Sequence, residues 1–128
     1  MRSLYIALSV SGLLLAPVTA AIAQGAWVPG SELVGHSAQV TTNNVANTVY
    51  FDAGGAARIV SPNGTTVPAT WSAANGALCL STGGAQECWP YARAFQAGQP
   101  QTLTSNCQSV STWTAMSTNQ AQARGERG

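Results

Sequence analysis

Closely spaced turn signals constrain the fold of this chain more than any other feature of its sequence. Between residues 52 and 84 they are Asp52-Ala53-Gly54-Gly55, Pro62-Asn63-Gly64, Asn75-Gly76 and Gly83-Gly84. The segments between these turns are rich in Val, Thr, Ile and aromatic residues. Short segments of this composition, separated by regular glycine turns, are typical of successive hairpins in an all-β domain.

The last two turns predict the pairing of three strands, and the two predictions agree. Asn75-Gly76 suits a type I′ turn, in which both central residues need positive φ, and it pairs Trp71 with Leu80. Gly83-Gly84, interpreted in the same way, pairs Leu80 with Glu87. Along an antiparallel strand, a residue that is hydrogen-bonded toward one neighbour is not hydrogen-bonded toward the other. The two registers satisfy this alternation, although each follows from its own turn.

The two earlier turns predict three-residue loops. Pro62-Asn63-Gly64 suits a type I turn followed by a left-handed glycine, and it pairs Ile59 with Val67. The segment from Asp52 to Gly55 suits a similar loop, because Asp favours the first position, and it pairs Val49 with Ile59. All four turns therefore predict a continuous meander.

The predicted register places large apolar side chains on one face of the sheet. They are Val49, Phe51, Ile59, Val67, Ala69, Trp71, Leu78, Leu80, Trp89 and Tyr91. Strands with one apolar face must cover one another, and residues 34–42, 101–105 and 110–115 can supply further strands. We predict an all-β fold, an antiparallel meander curled into a small barrel or a clam-like sandwich.

The first 23 residues are typical of a secretory signal peptide. A short basic start precedes an apolar run over Leu4–Val18, and Ala21-Ile22-Ala23 suits the cleavage site. The run is too short for a membrane span, so we expect no stable membrane insertion after its removal. We expect the protein to be periplasmic or secreted. The predicted divisions are a signal peptide (1–23), a mobile lead-in (24–31), one β-domain (32–116) and a disordered tail (117–128).

The chain carries few charges, and they balance after export. It has no lysine, and removal of Arg2 with the signal peptide leaves four arginines and four carboxylates. Phosphate binding depends on clustered cations, so we expect no nucleic-acid partner. The same lack of cations argues against adhesion to anionic lipid headgroups.

The three cysteines predict one disulfide and one remaining thiol. Export favours disulfides, and the Gly83-Gly84 register places Cys79 directly opposite Cys88, at a Cα separation of roughly 4.5 Å. Cys107 is then a candidate unpaired thiol. Alternatively, Cys107 forms a disulfide with a second molecule, or it bonds to Cys79 or Cys88 and displaces the other from the predicted pair.

The stretch Asn47–Tyr91 resembles a group of small exported proteins. A Tyr-Phe-Asp loop with glycines precedes Trp71-x4-Gly76-x-Leu78-Cys79, and a glycine turn then leads to Cys88-Trp89. This pattern is similar to that of exported β-domain proteins, common in alphaproteobacteria, whose function is uncharacterised. The resemblance covers roughly a third of the chain. It implies a bacterial periplasmic or secreted domain with the same cysteine pair, and it implies no catalytic residues.

The ionisable side chains predict no catalytic site. His36 is the only histidine, and no spacing brings it to Asp52 or Cys107, as a hydrolytic triad or a Cys–His pair requires. Glu87 falls on the apolar face, where we expect it at the sheet rim with Arg93 as an available partner. Paired cysteines leave too few ligands for zinc. We assign no catalytic residue, metal ligand or cofactor.

Four aromatic residues are candidate binding residues. They are Trp71, Trp89, Tyr91 and Trp113. We expect aromatic side chains mainly in the core, and the alternative is a sheet that curls around a cavity which they line.

Small size, rigid turns and few ionisable groups favour binding over catalysis. We expect a non-enzymatic exported domain that acts as a binding or interaction module in the bacterial cell envelope. Its partner would be an envelope protein, a glycan or a small apolar ligand, and inhibition of another enzyme is one specific form. One alternative is a periplasmic enzyme, most simply a hydrolase, that uses Glu87 or His36. Another alternative is a structural component of the envelope.

Overall fold

Eight antiparallel strands dominate the computed structural model, which describes residues 26–119. The strands are β1 (His36–Thr42), β2 (Val45–Phe51), β3 (Ala56–Val60), β4 (Thr66–Ala74), β5 (Ala77–Thr82), β6 (Ala85–Pro90), β7 (Gln101–Thr104) and β8 (Val110–Ala115). A 3-10 turn over Ala53–Gly55 joins β2 to β3. The all-β prediction is confirmed.

The strands form one nearly closed barrel. Each strand pairs with the next in the chain, except at one step, and β8 returns to pair with β1. The exception lies between β6 and β7, which form the two edges of the sheet. A meander curled in this way turns one face of its sheet toward a common interior, so of the two predicted architectures the barrel is the one observed.

The registers predicted from the turns are confirmed. The structure pairs Val49 with Ile59, Ile59 with Val67, Trp71 with Leu80, Leu80 with Glu87, and Cys79 with Cys88. At the β4–β5 turn, φ is 53° at Asn75 and 76° at Gly76, as a type I′ turn requires.

One hairpin has a turn that the sequence analysis did not identify. β1 and β2 are joined by Asn43 and Asn44, whose φ angles are 51° and 67°. Asparagine is the residue other than glycine that adopts the left-handed region most readily, so Asn-Asn can make the same two-residue turn as Asn-Gly. This turn contains no glycine, so the glycine pattern of the sequence did not indicate it.

The core fills the inside of the barrel. Its buried apolar residues are Leu33, Ala38, Val40, Val49, Phe51, Ala57, Leu78, Leu80, Trp89, Tyr91, Phe95, Trp113 and Ala115. Trp113 is fully buried among the rings of Phe51, Trp89 and Phe95. Val67 differs from its predicted core position and is 42 % exposed, because it lies near the start of β4, where the barrel ends.

Strand direction defines two ends of the barrel. We call the end at which β1, β3, β5 and β7 finish the open end, and the opposite end the closed end. At the closed end, Leu33 and Phe95, from the segments before β1 and after β6, are fully buried. These segments therefore cover the closed end.

The described part of the predicted lead-in, residues 26–31, contacts the closed end of the barrel. The Trp27 ring lies edge-on to Tyr91, with ring centroids 5.0 Å apart. The main-chain N–H of Gly30 donates to the Tyr91 hydroxyl at 3.0 Å. The glycine and proline content of this segment indicates a loop, and its mobility stays a prediction.

The predicted tail also begins in contact with the barrel. Ser117 and Asn119 both hydrogen-bond the His36 ring at 2.7 Å. The predicted signal peptide (1–23) and the remainder of the predicted tail (120–128) lie outside the described residues. Across residues 26–119, no helix has the length and hydropathy needed to span a membrane.

Candidate ligand-binding pocket

A cavity of about 280 Å³ lies at the open end of the barrel. It is lined by Val40, Thr42, Asn47, Val49, Ile59, Leu80, Thr82, Ala85, Gln86, Glu87, Trp89 and Cys107. Small-molecule sites in proteins typically measure about 300–1,000 Å³, so this cavity suits a compact ligand. We refer to it as the pocket.

The pocket has an apolar interior and a polar rim. Val40, Val49 and Leu80 are buried in the core and form part of its wall. Thr42 and Thr82 lie at the strand ends, where the barrel meets solvent. This distribution is typical of sites in which burial supplies affinity and a few polar groups fix the orientation of the ligand.

Glu87 is the charged side chain of the pocket. It points inward from β6, is partly buried, and its Oε2 accepts a hydrogen bond from the Ser105 hydroxyl at 2.6 Å. Its position near the open end of β6 agrees with the predicted rim position. The predicted partner Arg93 instead follows β6 toward the closed end, and no ion pair within residues 26–119 includes it.

Ser105 is held in place by the turn between β7 and β8. It is 3 % exposed, and its Oγ accepts hydrogen bonds from the main-chain N–H groups of Cys107 at 3.1 Å and Ser109 at 3.3 Å. Its single hydroxyl hydrogen is therefore directed to Glu87. A carboxylate oriented by a buried hydroxyl is a preorganised polar group.

Cys107 lines the pocket and is exposed, and it is bonded to neither of the other cysteines. Cys79 and Cys88 form the predicted disulfide, with their Cα atoms 4.0 Å apart. This bond indicates an oxidising, exported environment. The position of Cys107 in the pocket depends on a loop that no turn signal predicted.

The structure places only one of the four candidate binding aromatics in the pocket. Trp89 lines it, is 6 % exposed, and its indole N–H has no acceptor among the described residues. Trp71 donates to the main-chain oxygen of Asp52 at 3.0 Å, at the closed end. Tyr91 also lies at the closed end, and Trp113 is at the centre of the core.

Two rim residues could have been identified from the sequence. Asn47 and Thr82 continue the inward-facing alternation of Val49 and Leu80 by one step. A polar residue on the inward face at a strand end, beside a turn, marks the rim of a cavity. The predicted inward face contained almost only apolar residues, so these two polar positions were not part of it.

The closed end contains a buried carboxylate. Glu32 is 3 % exposed and accepts hydrogen bonds from the Trp27 indole N–H and the Phe95 main-chain N–H, both at 2.9 Å, and from the Tyr91 hydroxyl. Burial, and then the hydrogen bond to Glu32, raise the pKa of Tyr91 well above its ordinary value. This arrangement lies away from the pocket and ties the segments of the closed end together.

The candidate hydrolytic residues are not brought together. His36 begins β1 at the closed end, whereas Cys107 and Glu87 lie at the open end. Asp52 is exposed in part and pairs with Arg58 at 3.2 Å. A triad or Cys–His pair needs its members within hydrogen-bond reach, so His36 forms neither with Cys107.

Both ring nitrogens of His36 already have partners. Asn119 donates its amide hydrogens to the carbonyl oxygens of Ser31 and Val34, at 3.1 and 2.8 Å, which leaves its Oδ1 to accept from His36 Nε2. Ser117 occupies Nδ1. Within the described part of the chain, no three His, Cys, Asp or Glu side chains are grouped closely enough to hold a metal ion.

No family model, curated protein or solved structure matches this chain. The resemblance of Asn47–Tyr91 to exported alphaproteobacterial β-domains stays a prediction.

Proposed function

We propose that this protein is a non-enzymatic binding module of the bacterial cell envelope, periplasmic or secreted, whose pocket holds a compact and largely apolar ligand. The observation that carries the proposal is the apolar cavity at the open end, bounded by core residues and rimmed by polar side chains. The disulfide supports export, because such bonds persist in oxidising compartments.

Among the three partner classes considered, a small ligand fits this geometry best. Glycan sites use aromatic faces that solvent can reach, whereas Trp89, Tyr91 and Trp113 are all buried. Protein interfaces of standard size bury about 800 Å² on each partner, which a cavity of this size cannot supply by itself. A partly open cavity with an apolar wall instead suits a compact small molecule.

The proposal is tested by titration with cyclohexanemethanol, a neutral compact probe, followed by amide NMR. We expect saturable shifts at lining residues such as Leu80 and Trp89. In addition, the bound probe should slow alkylation of Cys107 by iodoacetamide, since this thiol lines the pocket.

Two matched variants locate the binding. Ala85→Trp places a large ring at the rim of the pocket, whereas Ala56→Trp places the same ring at an exposed position at the closed end. We expect Ala85→Trp to weaken binding at least about tenfold and Ala56→Trp to leave it unchanged. Absence of saturable shifts in the unsubstituted protein, or equal binding by both variants, would refute the proposal.

A further inference from the structure

Glu87 gives the pocket a negative charge that no cation within residues 26–119 balances. Among the lining residues it is the one Asp, Glu, Lys, Arg or His side chain. The ion pair within residues 26–119 joins Arg58 and Asp52, so Glu87 belongs to none there. In a largely apolar cavity, an unbalanced carboxylate favours cations and repels anions more strongly than it would in water.

The same carboxylate has unused capacity to accept hydrogen bonds. An ionised carboxylate offers about four acceptor sites on two oxygens. Within the described residues, Glu87 receives one hydrogen bond, from Ser105 to Oε2. Its Oε1 is therefore available to a donor on a ligand. The fixed hydroxyl of Ser105 holds the group in position, so little ordering is needed when a ligand binds.

An aromatic ring lies on the same side of the strand. Trp89 follows Glu87 by two residues on β6, so both side chains face into the barrel, and both line the pocket. Tryptophan is the aromatic side chain that attracts cations best. A carboxylate and an indole beside apolar residues together match an ammonium group attached to a hydrocarbon body.

We infer that the ligand of this pocket is an apolar amine, whose ammonium group meets Glu87 and whose hydrocarbon body packs against Val40, Val49 and Leu80. This inference rests on the proposed function and specifies its ligand class. An alcohol and an ammonium group both donate a charge-assisted hydrogen bond to an ionised carboxylate, but the ammonium group also gains the coulombic attraction of an ion pair, which the neutral alcohol lacks. Carboxylated lipids and other apolar anions should bind more weakly than the amine, because Glu87 repels them.

Three probes with the same ring test the inference at pH 7. They are cyclohexanemethylamine, which is protonated, cyclohexanemethanol, which is neutral, and cyclohexanecarboxylate, which is ionised. We expect the amine to bind about tenfold more tightly than the alcohol, and the carboxylate to bind most weakly. Dissociation constants come from the same NMR titration.

Two variants separate the pocket charge from the net charge of the protein. Glu87→Gln keeps an oxygen that can accept from Ser105, and we expect it to abolish the preference for the amine, so that the amine and the alcohol bind with dissociation constants within about threefold of each other. Asp52→Asn removes the same charge at the closed end and should preserve the preference.

The results distinguish this inference from the proposed function. Equal binding of the three probes, or tightest binding of the carboxylate, overturns the amine inference and leaves a pocket for neutral apolar ligands. A preference for the amine that survives Glu87→Gln also overturns it. Absence of binding by every probe overturns both proposals.

Discussion

At the scale of single residues, the buried carboxylate of Glu32 shows how this chain stabilises a charge without a cation. Burial of an ionised group is costly unless hydrogen bonds replace its lost water. The Trp27, Tyr91 and Phe95 donors replace that water, and they come from both segments that cover the closed end. Because the buried carboxylate of Glu32 needs these hydrogen-bond donors, it connects segments that are distant in the sequence.

The ionisation of Tyr91 makes the free energy of unfolding depend on pH in the alkaline range. Its pKa is raised in the folded protein by burial and by Glu32, so the folded state holds the phenolic proton more tightly than the unfolded chain does. This contribution is fully present below pH 10, the ordinary value, and is lost as pH rises above it toward the folded value. We expect the free energy of unfolding to fall by up to about 1.4 kcal/mol for each pH unit above 10.

The comparison with Tyr91→Phe isolates this effect, because other alkaline groups are common to both proteins. Urea unfolding at pH 9, 10 and 11 gives the two stability profiles. The variant should be less stable at pH 9, where it lacks the hydrogen bond to Glu32, and should lose less stability above pH 10. Parallel profiles above pH 10 would contradict the assignment.

At the scale of elements, one side chain takes the place of a missing strand pairing. β6 and β7 do not pair, and Asn106, just after β7, bridges to Cys88 on β6. Its main-chain N–H donates to the Cys88 carbonyl at 2.9 Å, and its Oδ1 accepts from the Cys88 N–H at 3.0 Å. The main-chain N–H and C=O groups of Cys88 are thus both hydrogen-bonded, as they would be to a neighbouring strand.

Asn106→Ala tests this bridge, because it removes the side-chain acceptor and retains the main-chain bond. We expect a loss of about 1 kcal/mol in stability and faster hydrogen exchange at the Cys88 amide. Asn106→Asp retains an acceptor oxygen at the same place and should retain the protection. Unchanged exchange in the alanine variant would show that the bridge does not close the barrel.

At the scale of the whole molecule, the disulfide and this bridge act on the same edge strand. β6 has one ladder partner, β5, and the Cys79–Cys88 bond joins these two strands. The disulfide therefore fixes β6 to β5, and the Asn106 bridge connects β6 to the segment that follows β7.

Replacement of Cys79 and Cys88 by alanine should lower the free energy of unfolding by about 2–3 kcal/mol, as the chain-entropy model predicts for a loop of this length. Urea unfolding measures the change. The matched control is Cys107→Ala, an exposed cysteine outside the disulfide, which should change stability by less than about 0.5 kcal/mol. Equal stabilities for both variants would contradict this role of the disulfide.

The local chemistry of the turns was enough to predict the meander. Asn75-Gly76 and Gly83-Gly84 require particular backbone angles, and these angles set the register of every residue between them. The inward position of Glu87 and Trp89 and the pairing of the cysteines follow from that register. These features depend on residues within about ten positions of one another, so the sequence by itself determined them.

The tertiary structure decided everything that depends on contacts between distant segments. The pairing of β8 with β1 closes the barrel and buries Trp113, and no local signal predicts it. The same closure brings the turn containing Ser105 and Cys107 to the rim beside Glu87, which completes the pocket. Partners of this kind are set by the total burial of apolar surface in the folded chain, and that quantity is not encoded in any short stretch of residues.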